Sequence, residues 1–342
     1  MKWLITGGAG FIGTNAARRL LAEEHRVVLL DNLSRRGAAP NLEWLRHQGD
    51  IAFVNADVRN FDALKQACQA HKDIDVVLHL AAQVAVTTSV VNPREDFEIN
   101  ALGTFNVCES VRQFLPEAVL LNASTNKVYG AMDDLSVVER NGRYEYASYR
   151  KGVPESRPLD FHSPYGCSKG SADQYVRDYA RIYGIRTVSF RQSCIYGPHQ
   201  FGIEDQGWVA WLAICAVRGK PITIYGDGKQ VRDVLFVEDL VDCYLKAVER
   251  IEEVSGHNFN VGGGPENTLS LLELVGLLEG LLEKKVAYSF GEWRPGDQRV
   301  FVCDVSKAAK ELGWRPRVAV SEGVTRLVTW VQENKELLAK VV

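Results

Sequence analysis

Eight residues near the start of the chain, Thr6-Gly7-Gly8-Ala9-Gly10-Phe11-Ile12-Gly13, constrain its fold more than any others. They stand between an apolar run at 3–6 and a helical period at 13–24, so a strand passes directly into a helix. The glycines fall at Gly7, Gly10 and Gly13, a GxxGxxG spacing. In that context each omits a side chain for a reason: a tight turn, close approach of backbone to a pyrophosphate, and close packing of helix on strand. Phosphates would rest on free N–H groups at the positive helix end, around Phe11 and Ile12. Asp31 closes the second apolar run, 18 residues beyond Gly13, and Asn32 follows it. A carboxylate there accepts hydrogen bonds from both ribose hydroxyls and repels a 2′-phosphate. Strand, turn, helix and acid together predict a dinucleotide site, for NAD rather than NADP. Arg35 and Arg36 keep the phosphorylated cofactor open, since either can meet a phosphate. Asp57-Val58 ends the third run, where an acid can hold the adenine amino group or simply cap the next turn.

The alternation of runs and periods continues along the chain. Strands are expected at 3–6, 27–31, 52–55, 76–80, 119–123 and 187–191, with helices at 13–24, 41–48, 61–70, 97–114 and 165–183. Apolar runs without alternation imply strands buried on both faces. The fold class is therefore α/β, a doubly wound parallel sheet of Rossmann type with ligands at the carboxyl ends of its strands. From 192 the rhythm breaks into a Gly/Pro-punctuated stretch, a helix at 207–218 and a Gly226-Asp227-Gly228 turn. Strands at 231–236 and 258–261 flank a helix at 237–250, and helices at 269–283 and 321–340 follow. A smaller C-terminal substrate lobe leaves the sheet, returns once and leaves again. The division is discontinuous: 1–191 and 228–261 for the dinucleotide, 192–227 and 262–342 for the substrate. The segment 131–163 is polar and long for a loop, and such loops often shape a site.

At 342 residues, 46% hydrophobic and 24% charged, the chain has the composition of a globular protein. A net charge of −3 provides no bulk basic field for nucleic acid or an anionic membrane. No apolar run is long enough to span a bilayer, and no cleavable signal opens the chain. The seven cysteines are scattered and never form a CxxC or Cys/His pair, so neither a disulfide framework nor a metal site is expected. A cytoplasmic location follows.

Tyr165-Gly166-Cys167-Ser168-Lys169 opens the helix at 165–183, and its i, i+4 spacing puts phenol and ammonium on one face. A tyrosine near its ordinary pKa of ~10 is a poor base at neutral pH. A nearby ammonium and a positive nicotinamide would favour phenolate. The same pair also occurs on plain surface helices, but Ser124-Thr125 after the run at 119–123 adds a hydroxyl able to bind the same substrate oxygen. With TGGAGFIG, HLAAQ at 79–83, STNKVYG at 124–130, YGCSK and YGDGKQVRDVLFVEDL at 225–240, the chain resembles the extended short-chain dehydrogenases/reductases that act on nucleotide sugars. The resemblance covers nearly the whole chain. It implies that Thr125 and Tyr165 hydrogen-bond the reacting hydroxyl, and that Lys169 orients the nicotinamide ribose and lowers the tyrosine pKa. It also implies cofactor contacts from Leu80, Ala81 and Ala82, with Asn100 near the catalytic network.

Dehydratases of this family carry an Asp-Glu pair after the threonine; Asn126 and Lys127 stand there instead and cannot perform that paired carboxylate chemistry. STNKVYG, the 131–163 segment, residues 160–170 and 200–208, and QRVFVC at 298–303 are similar to CDP-paratose (CDP-tyvelose) 2-epimerases. That similarity implies redox-neutral, NAD-dependent epimerisation of a CDP-linked hexose at C2 through a transient 2-keto intermediate. A nucleotide-sugar 4-epimerase or other oxidoreductase, and an NAD-binding protein without chemistry, stay open as alternatives. Arg232 and Arg299 are candidates for the diphosphate, because a guanidinium fork matches phosphate oxygens, although isolated arginines are ordinarily surface charges. Tyr225 is a candidate to stack on the base or a core aromatic. Gln83, Asn126 and Gln192 complete the substrate set with Thr125. His79 reads as a satisfied structural histidine, His162 as a weaker substrate candidate, and Cys167 lacks a base. Relatives are commonly dimers or tetramers, which implies a homo-oligomer across the helices at 97–114 and 165–183.

Overall fold

The computed structural model describes residues 1–294 and 297–342. Five strands carry the first half of the chain: β1 (Lys2–Thr6), β2 (Arg26–Asp31), β3 (Ile51–Asn55), β4 (Val76–His79) and β5 (Val119–Thr125). They lie parallel in the order β3-β2-β1-β4-β5, and Thr187–Gln192 and His257–Val261 extend the sheet beyond β5 to seven strands. Successive residues point to opposite faces. Trp3, Ile5, Leu29 and Leu78 enter one core with Ala16, Ala17 and Leu20 of the helix Phe11–Ala22. Leu4, Val28 and Val77 enter another, with Leu64, Val107 and Val176. Each fully buried aliphatic side chain contributes about 1.5–3 kcal/mol relative to exposure. The apolar runs thus fix a sheet covered by helices on both faces.

The chain builds β1, β2 and β3 outward, then returns to place β4 on the other side of β1. That reversal opens a crevice at the carboxyl ends of β1 and β4, the place where such sheets bind ligands.

Four sequence expectations are corrected. Strand Val231–Phe236 does not return to the central sheet. It pairs with Thr268–Ser270, Val300–Phe301 and Cys194–Tyr196 in a second sheet, so within 228–261 only His257–Val261 joins the first. Its residues alternate between cores: Leu235 packs with the central sheet, Val234 and Phe236 with the helix Trp208–Arg218. The helix expected at 97–114 is Pro93–Phe97, one π-helical turn Glu98–Leu102, and Gly103–Phe114. The helix expected at 321–340 divides into Val320–Glu333 and Lys335–Val341. Finally, the segment 131–163 contains a hairpin, Val137–Arg140 with Arg143–Tyr146. Asn141 and Gly142 at its tip both have positive φ (52° and 76°), as a two-residue hairpin turn requires. Tyr146 donates its hydroxyl to the Val300 carbonyl (2.9 Å), and Val153 N–H to that of Val302 (2.8 Å), which seals the segment onto the second lobe.

Candidate active site

The crevice is lined by Gly7, Gly10, Phe11, Ile12 and Gly13 from the first turn, by Asp31 and Asn32 after β2, and by Asp57 and Val58 after β3. Leu80, Ala81 and Ala82 after β4 complete that end. The glycines are sterically required. Gly7 has φ +67°, and a Cβ there would lie 2.7 Å from Ala81 N; one at Gly13 would lie 2.5 Å from the Gly7 carbonyl oxygen. The helix Phe11–Ala22 begins without a side-chain cap and without an acidic residue in its first turn. Its positive end is therefore left for an anion, which suits a pyrophosphate.

Asp31 is buried and accepts from Ala9 N–H (3.1 Å) and Leu33 N–H (2.8 Å). Burial pushes its carboxyl above the ordinary value, while those two N–H groups pull it back. Each oxygen keeps a lone pair for a further donor. Asp57 is held down to about 2, chiefly by the Arg59 fork at 2.7 and 3.0 Å, with Asn32 donating at 2.8 Å. Arg35 and Arg36 also line the crevice, and the Arg35 charge reaches both Asp31 and Tyr165.

Tyr165 and Lys169 lie one turn apart near the start of the helix Ser163–Tyr183, both buried and both lining the crevice. Lys169 Nζ donates to the Ala123 carbonyl oxygen at 2.6 Å. Burial lowers its pKa to about 8, against the carboxylates of Asp173 and Asp96. The phenol of Tyr165 is held above its ordinary value, mainly by burial; a hydrogen bond with Thr125 opposes this, Asp96 adds to it, and Arg35 opposes it. Lys169 does not figure among the groups that set the Tyr165 phenol here, its ammonium donating to Ala123. Thr125 ends β5, with Lys127 N–H donating to its Oγ1 at 3.3 Å and Asn126 buried beside it.

Asn100 and Gln83 stand behind the crevice wall rather than on it. Asn100 Oδ1 accepts from Gln83 N–H (3.0 Å), and its Nδ2 donates to Gln83 O, Asp96 Oδ1 and Ser168 Oγ. Gln83 spends its own amide on Ala85 O and Asp96. The π-helical turn aims Asn100 inward, and such turns recur at functional sites. His79 is satisfied too: Thr104 gives its hydroxyl to Asn100 O, so it accepts from Nε2–H, and Thr6 donates to Nδ1.

Gln192 lines the crevice and donates to Tyr244 OH. Farther out, Arg232 pairs with Asp297 at 2.6 Å. Arg299, whose carbonyl accepts from Val231 N–H (2.9 Å), has its side chain exposed over the Tyr144 ring, 5.3 Å from the centroid. Extended backbone alternates there, with Gln298 and Val300 buried on either side. Tyr225 is capped by Arg294, 4.0 Å above its ring, and donates to Glu204 (3.0 Å). Arg294 was not marked by any spacing in the sequence. Ser124, the other member of the hydroxyl pair, also lines the crevice, and its buried Oγ has no hydrogen-bond partner among the described residues.

Residues 3–262 match the model of the NAD dependent epimerase/dehydratase family. The chain belongs to that family. It is 46% identical over 335 residues to a CDP-paratose 2-epimerase of Salmonella typhi, covering 96% of this chain and 99% of the relative. A UDP-glucose 4-epimerase of Thermotoga maritima, solved with UDP-glucose, superposes with TM-score 0.84 at 29% identity, over 98% of this chain and 100% of that one. A UDP-glucuronic acid 4-epimerase of Bacillus cereus, in complex with UDP-glucuronic acid and NAD, gives 0.83 at 28% identity, over 97% and 99%. NAD is thus the cofactor of this family member, and the uncapped helix, the glycine turn and Asp31 suit it.

Proposed function

We propose that this enzyme inverts C2 of a CDP-linked hexose, converting CDP-paratose to CDP-tyvelose or CDP-glucose to CDP-mannose through a transient 2-keto sugar. One observation carries the reading: a buried Tyr165–Thr125–Lys169 group followed by Asn126 and Lys127, where elimination would need two carboxylates. The 46% identity to a CDP-paratose 2-epimerase supports the base and the carbon.

The glycine turn, Asp31, Asn32, Asp57, Val58 and residues 80–82 hold the dinucleotide, and Asn100 braces the wall behind it. NAD, when bound, supplies a positive ring that accepts the C2 hydride and returns it to the other face. Thr125 Oγ1 and Tyr165 hold the C2 hydroxyl, and Tyr165 takes its proton and later gives it back. Lys169 keeps the helix against β5 and presents its charge to the cofactor ribose. Arg232, with Tyr225 and Arg294, anchors the nucleotide while the ketone turns over, so remote binding energy retains the intermediate. Gln192 and Ser124 face the same space.

The two-lobe division follows: the central sheet for NAD, the second sheet and its helices for the nucleotide sugar. Exposed Phe97, Phe105, Tyr175, Ile182 and Tyr183 on the helices at 93–114 and 163–183 support a homo-oligomer. No described helix is long and apolar enough to cross a membrane, which with the cysteine pattern supports a cytoplasmic location. The test is a panel of CDP-, UDP-, GDP- and dTDP-hexoses with product configuration read by NMR. Turnover of CDP-hexose to the C2 epimer is expected; turnover confined to other nucleotides would contradict the base.

A further inference from the structure

Lys127 is a partly buried charge that the mechanism so far leaves idle. It lies in the tight turn Asn126–Tyr129, two residues after Thr125, and its N–H binds the Thr125 hydroxyl. Nζ donates to Gln298 Oε1 at 3.2 Å, and Gln298 in turn donates to the Gly130 carbonyl at 2.6 Å. Burial and, after it, the Arg232 guanidinium lower the ammonium to about 8, with Asp297 opposing them. Asp297 is already paired with Arg232 at 2.6 Å. Asp233, which follows Arg232, is occupied by Ser193, by Cys303 Sγ (2.9 Å) and by Gly264 N–H (3.2 Å). The thiol of Cys194 also faces this cluster. Among the described residues, then, Lys127 has an amide but no carboxylate within ion-pair range. A partly buried charge that has lost hydration and has no counter-ion is costly, so the geometry calls for an anion from outside.

The C2 reading says which anion. In a nucleotide sugar the diphosphate is carried on C1, and C2 is bonded to C1, whereas C4 lies across the ring. Holding C2 at Thr125 and Tyr165 therefore brings the β-phosphate beside the reacting hydroxyl. A phosphate there would oppose formation of the Tyr165 phenolate, and a cation at the same spot offsets that repulsion.

We infer that Lys127 is a substrate-binding residue that holds the β-phosphate of the nucleotide sugar beside Thr125 and so presents C2, rather than C4, to Tyr165. This deepens the function proposed above and rests on it.

The test compares wild type, Lys127→Gln and Lys127→Arg, all carrying NAD, by calorimetric titration with CDP and with CMP. Wild type is expected to prefer the diphosphate. Lys127→Gln should lose about tenfold or more of that preference, the scale of one charge-assisted hydrogen bond, with CMP affinity and NAD content unchanged. Lys127→Arg should recover most of it. An unchanged CDP-to-CMP ratio in Lys127→Gln overturns the assignment; if that variant loses NAD, Lys127→Met is read the same way. UDP and UMP run in parallel, so a wrong base shows as uridine preference in wild type while the ratio still judges Lys127. Product configuration at C2 or C4, measured on wild type, judges the C2 reading separately.

Discussion

Lys169 Nζ and the Ala123 carbonyl oxygen are joined at 2.6 Å, a bond that ties the helix carrying Tyr165 to the strand that ends in Thr125. Phenol and hydroxyl are held in one relationship by it. Lys169→Met keeps much of the buried stem but removes donor and charge. Turnover is expected to fall by ~10²-fold or more, and the NAD recovered from denatured protein should fall with it. Wild-type values for both would remove Lys169 from the site.

Tyr165→Phe should be nearly silent in stability, since the buried ring is kept and only the hydroxyl is lost. The rate should not be silent. A loss in kcat of ~10²–10⁴-fold is expected for removal of the group that moves the proton. Initial rates on folded, NAD-loaded protein decide it.

His79 makes stability depend on acid. Its neutral ring bridges Thr6 and Thr104, and burial lowers its pKa to about 3, with Lys169 adding a like charge. The unfolded chain, titrating near ~6.5, binds the proton first. Stability is therefore present above about 6.5 and is lost as pH falls toward 3, with a slope approaching ~1.4 kcal/mol per pH unit from this group. His199, partly buried beside Trp44 and lowered to about 4, adds to it. Urea midpoints at pH 7, 6 and 5 should decline in wild type. His79→Gln should start lower and decline less; an equal slope would discard the explanation.

Asp31 should decide which dinucleotide the protein carries. Its two oxygens are fixed by Ala9 and Leu33 N–H groups at the crevice edge, where a 2′-phosphate would meet a carboxylate. Protein purified without added cofactor should release NAD on denaturation, because a cofactor regenerated every cycle gains nothing by leaving. Recovery of NADP would contradict the role given to Asp31 and point to Arg35 or Arg36.

The central sheet was legible because its inner strands are buried on both faces, so Trp3-Leu4-Ile5 and Val27–Leu30 read as unbroken apolar runs. The glycine turn and the Tyr165–Lys169 spacing were legible because each depends on near neighbours in sequence. Strand Val231–Phe236 was assigned to the wrong sheet because its alternation serves two cores at once, and periodicity does not say which sheet a strand joins. The hairpin within 131–163 had its signal in Asn141-Gly142, hidden among polar strand residues that face solvent on one side. The exposure of Arg299 was not legible from its motif: its neighbours Gln298 and Val300 are the buried ones, so it stands on the outer face of the extended segment. Gln83 was expected at the substrate, yet its amide is spent on Ala85 O and Asp96, while a π-helical turn, which no helical pattern reveals, brings Asn100 to Ser168 of the catalytic network.

The most direct measurement is the fate of deuterium at C2. CDP-glucose or CDP-paratose labelled there is offered in ordinary water, and the product is analysed for configuration and isotope. Hydride that leaves and returns inside a closed site never meets solvent, so the label should stay on C2 of the manno-configured product, or of CDP-tyvelose. Loss of deuterium to water would contradict hydride return in favour of proton exchange, and a galacto product with C2 untouched would contradict reaction at C2.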